Sequence, residues 1–577
     1  MPGPDAFRQE VLRHRFAAIA NEMSVALQRA AYSTNIKTRR DHSCAVTDPA
    51  GRIVAQSFSQ PAHLGTLAHF VPRILAAYGT GRLRPGDGIV CNDGHLGGIH
   101  LNDVATVMPV FRDGRIIAYV ATMAHHLDVG GGTPGSIGLH EEHVQEGLII
   151  PPSLLVRDGQ IDEALLGLIL RNVRAPRETG GDFRAQLASS ATGIRRVLEL
   201  ADSETPAGLA AAIEGILDYT ERRVRAAVAR LPHGTVSAEG FLDGDGRTDE
   251  PIRIAVSVTL DDDGATFDLT GSDPQRPSSI NTTAAMTFAG CAYAFRVFLD
   301  PDIPVNDGFY RMVKLIAPPG TVVNAVRPAA IGAGADTGIR VTETALRAIA
   351  GVLPEAAVAD TKGTVCNVAL AGVDPRTGRY FVFYEAIAGG YGGRARQDGM
   401  DAVQAHFQNT ENAPIEETEA SYPLRIARYG LVPDSEGPGR QRGGLGLRRD
   451  YIGEGDLVLT VMAERSSLAP EGLFGGEHGR SAHFIVNPGP RQHRFPSKFS
   501  ARVPAGDVMS LQLGGGGGYG SPLERDPQAV AADVRSRRVS RRRASSVYGV
   551  VLGRDGRPDA ARTEARRAGL RDAGAGR

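Results

Sequence analysis

The stretch that decides the fold runs from residue 103 to residue 126 and reads DVATVMPVFRDGRIIAYVATMAHH. Two apolar runs, Val104–Phe111 and Arg115–Met123, flank the turn residues Arg112-Asp113-Gly114. Apolar runs on both sides of an Asp-Gly pair are typical of a β-hairpin with a two-residue turn. The stretch therefore predicts two long paired strands, with two adjacent histidines at the open end of the hairpin.

This pairing brings candidate metal ligands together. A two-residue turn places Asp103 opposite residue 124 and residue 102 opposite His125, and opposed residues have Cβ atoms ~4.5–5.5 Å apart. His100 precedes Asp103 by three residues and reaches the same corner. Two imidazoles and a carboxylate form a three-ligand site for Mn, Zn or Fe that keeps positions open for water or substrate. The predicted ligands are His100, Asp103 and His125.

Neighbouring residues leave alternatives open. Asp128 could orient a ligating histidine from outside the ligand set, and His126 competes with His125 because a slip of one residue exchanges them. Six of the 15 histidines lie between residues 95 and 143. The alternative interpretation for each of them is a surface histidine or a hydrogen-bonded core histidine. We expect the remaining three of this segment not to be ligands: His95, His140 and His143.

The rest of the sequence predicts an α+β protein. Apolar residues recur at three- and four-residue spacing over residues 5–32, and residues 160–232 have the spacing of buried helices. Further helices are predicted from about Leu67 to Tyr78 and over residues 340–353. After residue 250, short strands between Gly and Pro turns dominate. The predicted protein has several subdomains, with a helical N-terminal part that carries the β-hairpin metal site and a β-rich C-terminal half.

Composition excludes several function classes. The 577 residues carry a net charge of −1, which argues against a nucleic-acid or membrane partner attracted by bulk electrostatics. No signal peptide and no apolar run of membrane-spanning length is visible, and the four cysteines form no CxxC pair. We therefore expect a cytoplasmic protein, with Cys44 and Cys91 as buried apolar residues. Only four lysines are present and none follows a glycine, so the chain has no P-loop for ATP.

The motifs around the hairpin resemble a known family. They are Asn92-Asp-Gly-His-Leu-Gly-Gly-Ile-His100-Leu-Asn-Asp103 and Ala124-His-His-Leu-Asp-Val-Gly-Gly-Gly-Thr-Pro-Gly-Ser136, with Arg40-Asp-His-Ser-Cys44, Asn409-Thr-Glu-Asn-Ala-Pro414 and Gly514-Gly-Gly-Gly-Gly-Tyr-Gly520 elsewhere. Along the chain these motifs follow one another as they do in the hydantoinase B/oxoprolinase family. The chain resembles this family from residue 7 to about residue 552. That family includes B subunits of ATP-dependent hydantoinases and 5-oxoprolinases, and it is related to subunits of acetone and acetophenone carboxylases.

The resemblance implies specific roles. The family's metal pattern falls on His100, Asp103 and His125, and Asp41 is similar to a further active-site carboxylate. Asp41, His126 and Asp128 are therefore the catalytic candidates. The implied reaction is ring opening of a hydantoin or 5-oxoproline-type cyclic amide by hydroxide generated at the metal. The substrate would first be phosphorylated by a hydantoinase A-type subunit with an actin-like ATPase fold.

The resemblance also implies partners and boundaries. ATP-Mg is expected on the A-type subunit, in a hetero-oligomer such as α2β2. The alternatives are the equivalent subunit of a ketone carboxylase and a non-catalytic scaffold for an ATPase partner. The predicted family domain covers residues 5–525, with subdomains of about 5–235 and 236–525. Residues 526–577 form an arginine-rich tail, which is expected to be docked or partly disordered.

Two departures from the family pattern concern the substrate pocket. At residues 334–338 this chain has Gly-Ala-Asp-Thr-Gly, where the family usually has Asn-Val-Glu-Thr-Ser. At residues 93–95 this chain has Asp-Gly-His, where the family usually has Asp-Pro followed by Tyr or Trp. We therefore expect the ligand positions to be retained and the substrate to differ. The glycine run 514–518 lacks a lysine, and we expect it to be structural rather than to bind phosphate.

Overall fold

The computed structural model describes residues 6–575, so residue 5 of the predicted domain and residues 576–577 of the predicted tail lie outside the described residues. Within this range the protein is a mixed α+β structure with four sheets. None of its described helices is long and apolar enough to cross a membrane. The helices are α1 (Ala6–Ala30), α2 (Thr34–Lys37), α3 (Pro61–Tyr78), α4 (Gly94–Gly97), α5 (Glu163–Arg171), α6 (Pro176–Asp202), α7 (Pro206–Val228), α8 (Ala284–Val297), α9 (Asp307–Tyr310), α10 (Gly334–Ala350), α11 (Ile415–Ser421), α12 (Pro527–Arg535), α13 (Arg541–Ser546) and α14 (Ala560–Ala575).

A seven-stranded sheet lies at the centre of the N-terminal part. Its strands are β1 (His42–Thr47), β2 (Ile53–Gln56), β3 (Gly88–Cys91), β4 (Asp103–Arg112), β5 (Arg115–His125), β6 (Ser153–Arg157) and β7 (Gln160–Ile161), in the order β2-β1-β5-β4-β3-β6-β7. Successive side chains of a strand point to opposite faces. Cys44 and Val46 accordingly pack with α1 and α6, whereas Ala45 packs with α3.

Because most of this sheet is buried on both faces, its strands lack polar and apolar alternation, and β3, β6 and β7 were not predicted from the sequence. The prediction of a helical N-terminal part is therefore incomplete: the long helices are present, but the largest sheet lies among them. Two predicted helices begin earlier than expected. Helix α3 begins at Pro61, a residue favoured at the first helical position, and α10 begins at Gly334.

A four-stranded sheet follows, with strands β8 (Gly234–Leu242), β9 (Ile252–Asp261), β10 (Gly264–Asp268) and β11 (Val313–Ile316) in the order β11-β10-β9-β8. Helices α8 and α10 pack against it. Helix α8 was not predicted. It also packs on α3 at Gly65, where a Cβ atom would lie 2.7 Å from the Cβ of Ala289. This close contact joins the N-terminal part to residues beyond 236, and the subdomain boundary near residue 235 stays a prediction.

The remaining strands form two sheets that share one apolar core. These strands are β12 (Asn367–Val373), β13 (Tyr380–Ala386), β14 (Leu424–Leu431), β15 (Leu447–Gly453), β16 (Leu457–Met462), β17 (His483–Val486), β18 (His493–Phe495), β19 (Lys498–Val503) and β20 (Val508–Gln512). One sheet has the order β13-β12-β16-β19 and the other β14-β15-β20-β17-β18. The end of β13 and the loop before β12 contribute residues to the candidate site.

Helices α12 to α14 in the arginine-rich tail pack on the rest of the protein. Arg538 pairs with Asp401 at 2.7 Å, and Arg543 pairs with the buried Glu436 at 2.7 Å. The ring of Tyr548 is fully buried. The described part of the tail is therefore held by ion pairs and a small apolar cluster.

Candidate metal centre and active site

The hairpin β4–β5 is present, but its register differs from the predicted one. Arg112 pairs with Arg115, and an irregularity between Val110 and Phe111 then shifts the pairing by one residue. This β-bulge gives β5 one extra residue, Ile117. Beyond the bulge Asp103 lies opposite His125, so the predicted pairing of Asp103 with residue 124 is wrong by one position. The shift brings the two candidate ligands closer together than the prediction did.

The structure brings the three predicted ligands into one buried group. Each of His100, Asp103 and His125 offers a ligand atom, and these atoms all lie within 4.8 Å of one another. Nδ1 of His125 is 3.1 Å from Oδ1 of Asp103. Nε2 of His100 is 3.6 Å from Oδ2 of the same carboxylate, and the backbone N–H of Asp103 donates to the carbonyl oxygen of His100 at 3.0 Å.

The donor set fits a divalent cation. Among the described residues, Oδ2 of Asp103, Nε2 of His125 and Nδ1 of His100 are buried without a hydrogen-bond partner. Buried polar atoms are rarely left unpaired, since each one costs about 1–3 kcal/mol. Imidazole nitrogens with a carboxylate oxygen are ligands of Zn, Mn and Fe. Each of the three residues carries such an atom, and a carboxylate and two imidazoles with ligand atoms within 4.8 Å of one another fit a metal ion.

The electrostatics keep the group in a form that binds metals. Burial lowers the pKa of His100 to about 4, so its imidazole is neutral at neutral pH. Burial by itself would raise the pKa of the Asp103 carboxyl, but the imidazoles of His100 and His63 outweigh it and hold this pKa well below its usual range. Metal ligands must be deprotonated, and both of these groups are.

Asp41 lies beside the ligand group, as the resemblance implies. It directly precedes β1, the neighbour of β5, and its carbonyl oxygen accepts a hydrogen bond from the backbone N–H of His125 at 3.0 Å. Its Oδ1 accepts from Nε2 of Gln60 at 3.3 Å. The carboxylate lines the same cavity as the ligands, which puts a second negative charge next to the candidate metal position.

Two residues of the site were not predicted. His63, in the first turn of α3, has Nε2 at 3.4 Å from Oδ2 of Asp103 and at 3.7 Å from Oδ1 of Asp41. Burial would lower the pKa of His63, but Asp103 and Asp41 raise it above the usual value. The ring of Tyr384, on β13, stacks on His125 with centroids 4.7 Å apart. Pro61 could have indicated that a helix begins just before His63, but no sequence pattern connected either residue with the hairpin.

His126 directly follows β5 and its side chain points away from the ligand group, towards α6. Its Nε2 is 2.9 Å from Oε1 of Gln186, and its ring packs on Phe183. Burial lowers its pKa. This histidine packs between the sheet and α6, and its place as a competing ligand is not supported by the geometry.

Asp128 stabilises a loop. Its Oδ1 accepts from the backbone N–H groups of Gly130 and Arg174, both at 2.9 Å, and its Oδ2 accepts from Gly135 N and Arg174 Nη1, both at 3.0 Å. The predicted hydrogen bond from Asp128 to a ligating histidine is therefore wrong among the described residues. The carboxylate thus accepts two hydrogen bonds from its own loop and two from Arg174.

Other candidates from the sequence lie outside the ligand group. His143 is bonded to Glu146 at 3.0 Å, and His95 packs against His143. Burial raises the pKa of both Cys44 and Cys91 to about 12, which makes their thiols poor nucleophiles.

The glycine run 514–518 is packed against neighbouring backbone. A Cβ atom on Gly515 would lie 1.8 Å from the carbonyl oxygen of Ser435. Close packing of this kind explains the glycines without a phosphate ligand.

The fold and this buried group define an α+β protein with a candidate metal centre at the open end of a β-hairpin. The chain belongs to the Hydantoinase B/oxoprolinase family, whose model matches residues 5–522. The resemblance in the sequence motifs is thereby confirmed.

Similar proteins include relatives in sequence and solved structures of the same fold. The B subunit of a putative D-/L-hydantoinase of Pseudomonas sp. (strain NS671) is 32% identical over 567 residues, covering 95% of each chain. A chain of the ATP-dependent caprolactamase of Pseudomonas jessenii has a TM-score of 0.90 at 28% identity and covers 98% of this chain and 99% of that one. A nucleotide-free acetone carboxylase structure has a TM-score of 0.91 at 21% identity, covering 100% of this chain and 84% of that one, and shows the shared fold.

Proposed function

We propose that this chain is the metal-containing B subunit of an ATP-dependent cyclic amidase, which opens a hydantoin or lactam ring after a partner subunit has phosphorylated it. The observation that supports this most is the buried group His100, Asp103 and His125 in one cavity with Asp41. The family and the caprolactamase relative support hydrolysis of a cyclic amide. A Zn, Mn or Fe ion held by the three ligands would act as a Lewis acid and lower the pKa of water.

The protein's own residues divide the remaining work. Asp41 faces the cavity and accepts the proton of the attacking water, since its Oδ1 is bonded only to the neutral donor Gln60 and lies near His63. His63 lies between Asp41 and Asp103, and its raised pKa makes it a counter-cation for these carboxylates. Tyr384 fixes the plane of the His125 ring by stacking on it. These side chains line one cavity of about 40 Å³.

The partner supplies ATP chemistry in this proposal. The sequence has no lysine after a glycine and so no P-loop. We therefore place ATP-Mg on a hydantoinase A-type subunit with an actin-like fold, in a hetero-oligomer such as α2β2. Water adds to the ring carbon of the phosphorylated amide, the C–N bond of this adduct then breaks as the ring nitrogen takes up a proton, and a second water hydrolyses the resulting acyl phosphate to the open amino acid and phosphate.

The test is an assay of the purified A–B pair with ATP on hydantoins, lactams and ketones, with and without bicarbonate. We expect ADP, phosphate and ring-opened product from a cyclic amide, independent of bicarbonate. Product from ketones alone, and only with bicarbonate, would reject the amidase and favour the ketone carboxylase, the alternative that the acetone carboxylase fold supports. Retained turnover after Asp103→Asn would instead favour a non-catalytic scaffold.

A further inference from the structure

Three side-chain amides line the cavity at the candidate metal centre: Gln60, Asn367 and Gln408. Two of them have their oxygens engaged. Oε1 of Gln60 accepts from the backbone N–H of Asn409 at 2.8 Å, and Oδ1 of Asn367 accepts from the hydroxyl of Tyr384. Oε1 of Gln408 is buried and has no hydrogen-bond partner among the described residues. One amide oxygen of this cavity is therefore left without a donor.

An unpaired oxygen at this position has a physical cost. Only 7% of Gln408 is exposed, and its side-chain oxygen lies in the buried part. A buried acceptor without a donor destabilises the fold, and native proteins leave few of them. Binding sites, by contrast, place a small number of polar groups among apolar ones to fix the orientation of a ligand. The free oxygen therefore points to a ligand that brings its own hydrogen-bond donor.

The backbone on both sides of Gln408 is tied to the start of α3. The carbonyl oxygen of Phe407 accepts from the backbone N–H of Ala62 at 2.9 Å, and Asn409 is anchored by the hydrogen bond given above. His406 has a φ of 58°, in the left-handed region, which persists at such a residue only where the surrounding structure holds it. Gln408 therefore lies on a fixed piece of backbone at the edge of the cavity.

The proposed substrate carries a donor that matches this oxygen. In the adduct that water forms at the ring carbon, the ring nitrogen of a secondary amide carries one hydrogen and one lone pair. A side-chain amide oxygen accepts such an N–H in an ordinary hydrogen bond. Once this N–H is held, the lone pair points away from the glutamine and is free to take up the proton that cleavage of the C–N bond requires. Holding a reacting group in its productive orientation lowers the barrier.

We infer that Gln408 is a specificity-determining residue, whose Oε1 accepts the N–H of the amide that is opened and thereby orients the leaving nitrogen. The inference rests on the proposed function. A ring that is methylated at this nitrogen has no hydrogen to donate, and its methyl group would lie against the unpaired oxygen. Sites discriminate most strongly when the wrong substrate leaves a buried polar group of the site unpaired.

The test compares the wild type with Gln408→Met in the A–B pair with ATP. The substrates are 2-pyrrolidinone with N-methyl-2-pyrrolidinone, and hydantoin with 3-methylhydantoin, which differ only in a methyl group on the nitrogen of the opened amide. Gln408→Met should lower kcat/KM for the N–H ring ~10–100-fold and should not lower it for the methylated ring. The partner subunit is the same in both cases, so its own preference cancels. The metal content should stay the same, and the melting temperature should not fall, because this oxygen has no hydrogen bond to lose.

Gln408→Glu is the matched control, because it keeps an acceptor oxygen on a side chain of the same length, and it should keep the preference for the N–H ring. An N–H ring hydrolysed as fast by Gln408→Met as by the wild type would overturn the inference and leave the proposed function intact. Equal losses on both rings of a pair, or loss of the metal from Gln408→Met, would also overturn it. Failure of the wild-type pair to hydrolyse any cyclic amide would overturn the proposed function and the inference with it.

Discussion

Two single substitutions, Asp103→Asn and Asp128→Asn, test the metal centre and the loop beside it separately. Asp103→Asn keeps the shape of the side chain and its acceptor for His125, but it removes the only carboxylate of the ligand group. Losing a residue that merely orients a ligand costs 10–100-fold in metal affinity, so loss of this direct ligand should cost ~100-fold or more. The metal-free variant should unfold within about 1–2 kcal/mol of the metal-free wild type.

Asp128→Asn should have the opposite effect. Its amide oxygen can still accept two of the four hydrogen bonds, but the amide nitrogen would face Gly135 N and Arg174 Nη1, which are both donors. Two hydrogen bonds to a charged group are then lost, at about 1.5–3 kcal/mol each. We therefore expect the free energy of unfolding to fall by about 3–6 kcal/mol, with metal affinity retained.

The assay is metal content after dialysis against a weak chelator, together with urea unfolding followed by circular dichroism, since the protein has no tryptophan. Metal retained by Asp103→Asn would refute the assignment of the ligands. Metal lost from Asp128→Asn with unchanged unfolding would show that Asp128 acts on the site, and the account of its loop would be wrong.

Three further predictions follow from single residues. Tyr384→Ala removes the ring that stacks on His125 and should lower metal affinity ~10–100-fold, whereas Tyr384→Phe should keep it; equal affinities of the two variants would reject this positioning role. Burial lowers the pKa of His42 from 6.5 to about 4. In this pH range the unfolded chain therefore binds a proton at His42 that the folded chain does not bind, and the free energy of unfolding falls as the pH drops from 6.5 towards 4. Between pH 6.5 and pH 5 the free energy of unfolding should fall by about 2 kcal/mol for this reason. His42→Asn should remove this part of the pH dependence measured by urea unfolding. An unchanged pH dependence would contradict the assignment. Gly515→Ala places a Cβ atom against the carbonyl oxygen of Ser435 and should lower the free energy of unfolding by about 3 kcal/mol or more. Gly569→Ala is the control, because Gly569 has open space around it. Equal melting temperatures of the two variants would count against the close packing at Gly515.

The sequence predicted that the three ligands lie close together, because the two strands of a hairpin are neighbours at its open end whatever the exact register of their pairing. It could not predict the bulge at Ile117, because the residues of β5 next to it, Ile116 and Ala118, are apolar as well and no polar and apolar alternation marks the slip. The bulge decides that Asp103, rather than residue 102, faces His125. The site itself was predictable from local sequence, and its exact pairing was not.

Residues from distant elements could not be predicted. His63 and Tyr384 reach the site only because α3 packs beneath the sheet and β13 comes from the C-terminal half, and neither contact has a local signal. Asp128 shows the opposite error: it is close to His125 in sequence, but the chain turns away and its carboxylate binds loop donors. Proximity along the chain is therefore weak evidence for a contact once a strand has ended.

The central claim is that His100, Asp103 and His125 together hold a metal ion. Anomalous diffraction from crystals of the A–B complex, recorded at the absorption edges of Zn, Mn and Fe, tests this most directly. We predict one peak in this chain, with Nε2 or Nδ1 of the two histidines and an Asp103 oxygen at ~2.0–2.2 Å from it. A metal-loaded, active complex with no anomalous peak at these residues, or with its peak elsewhere in the chain, would contradict the account.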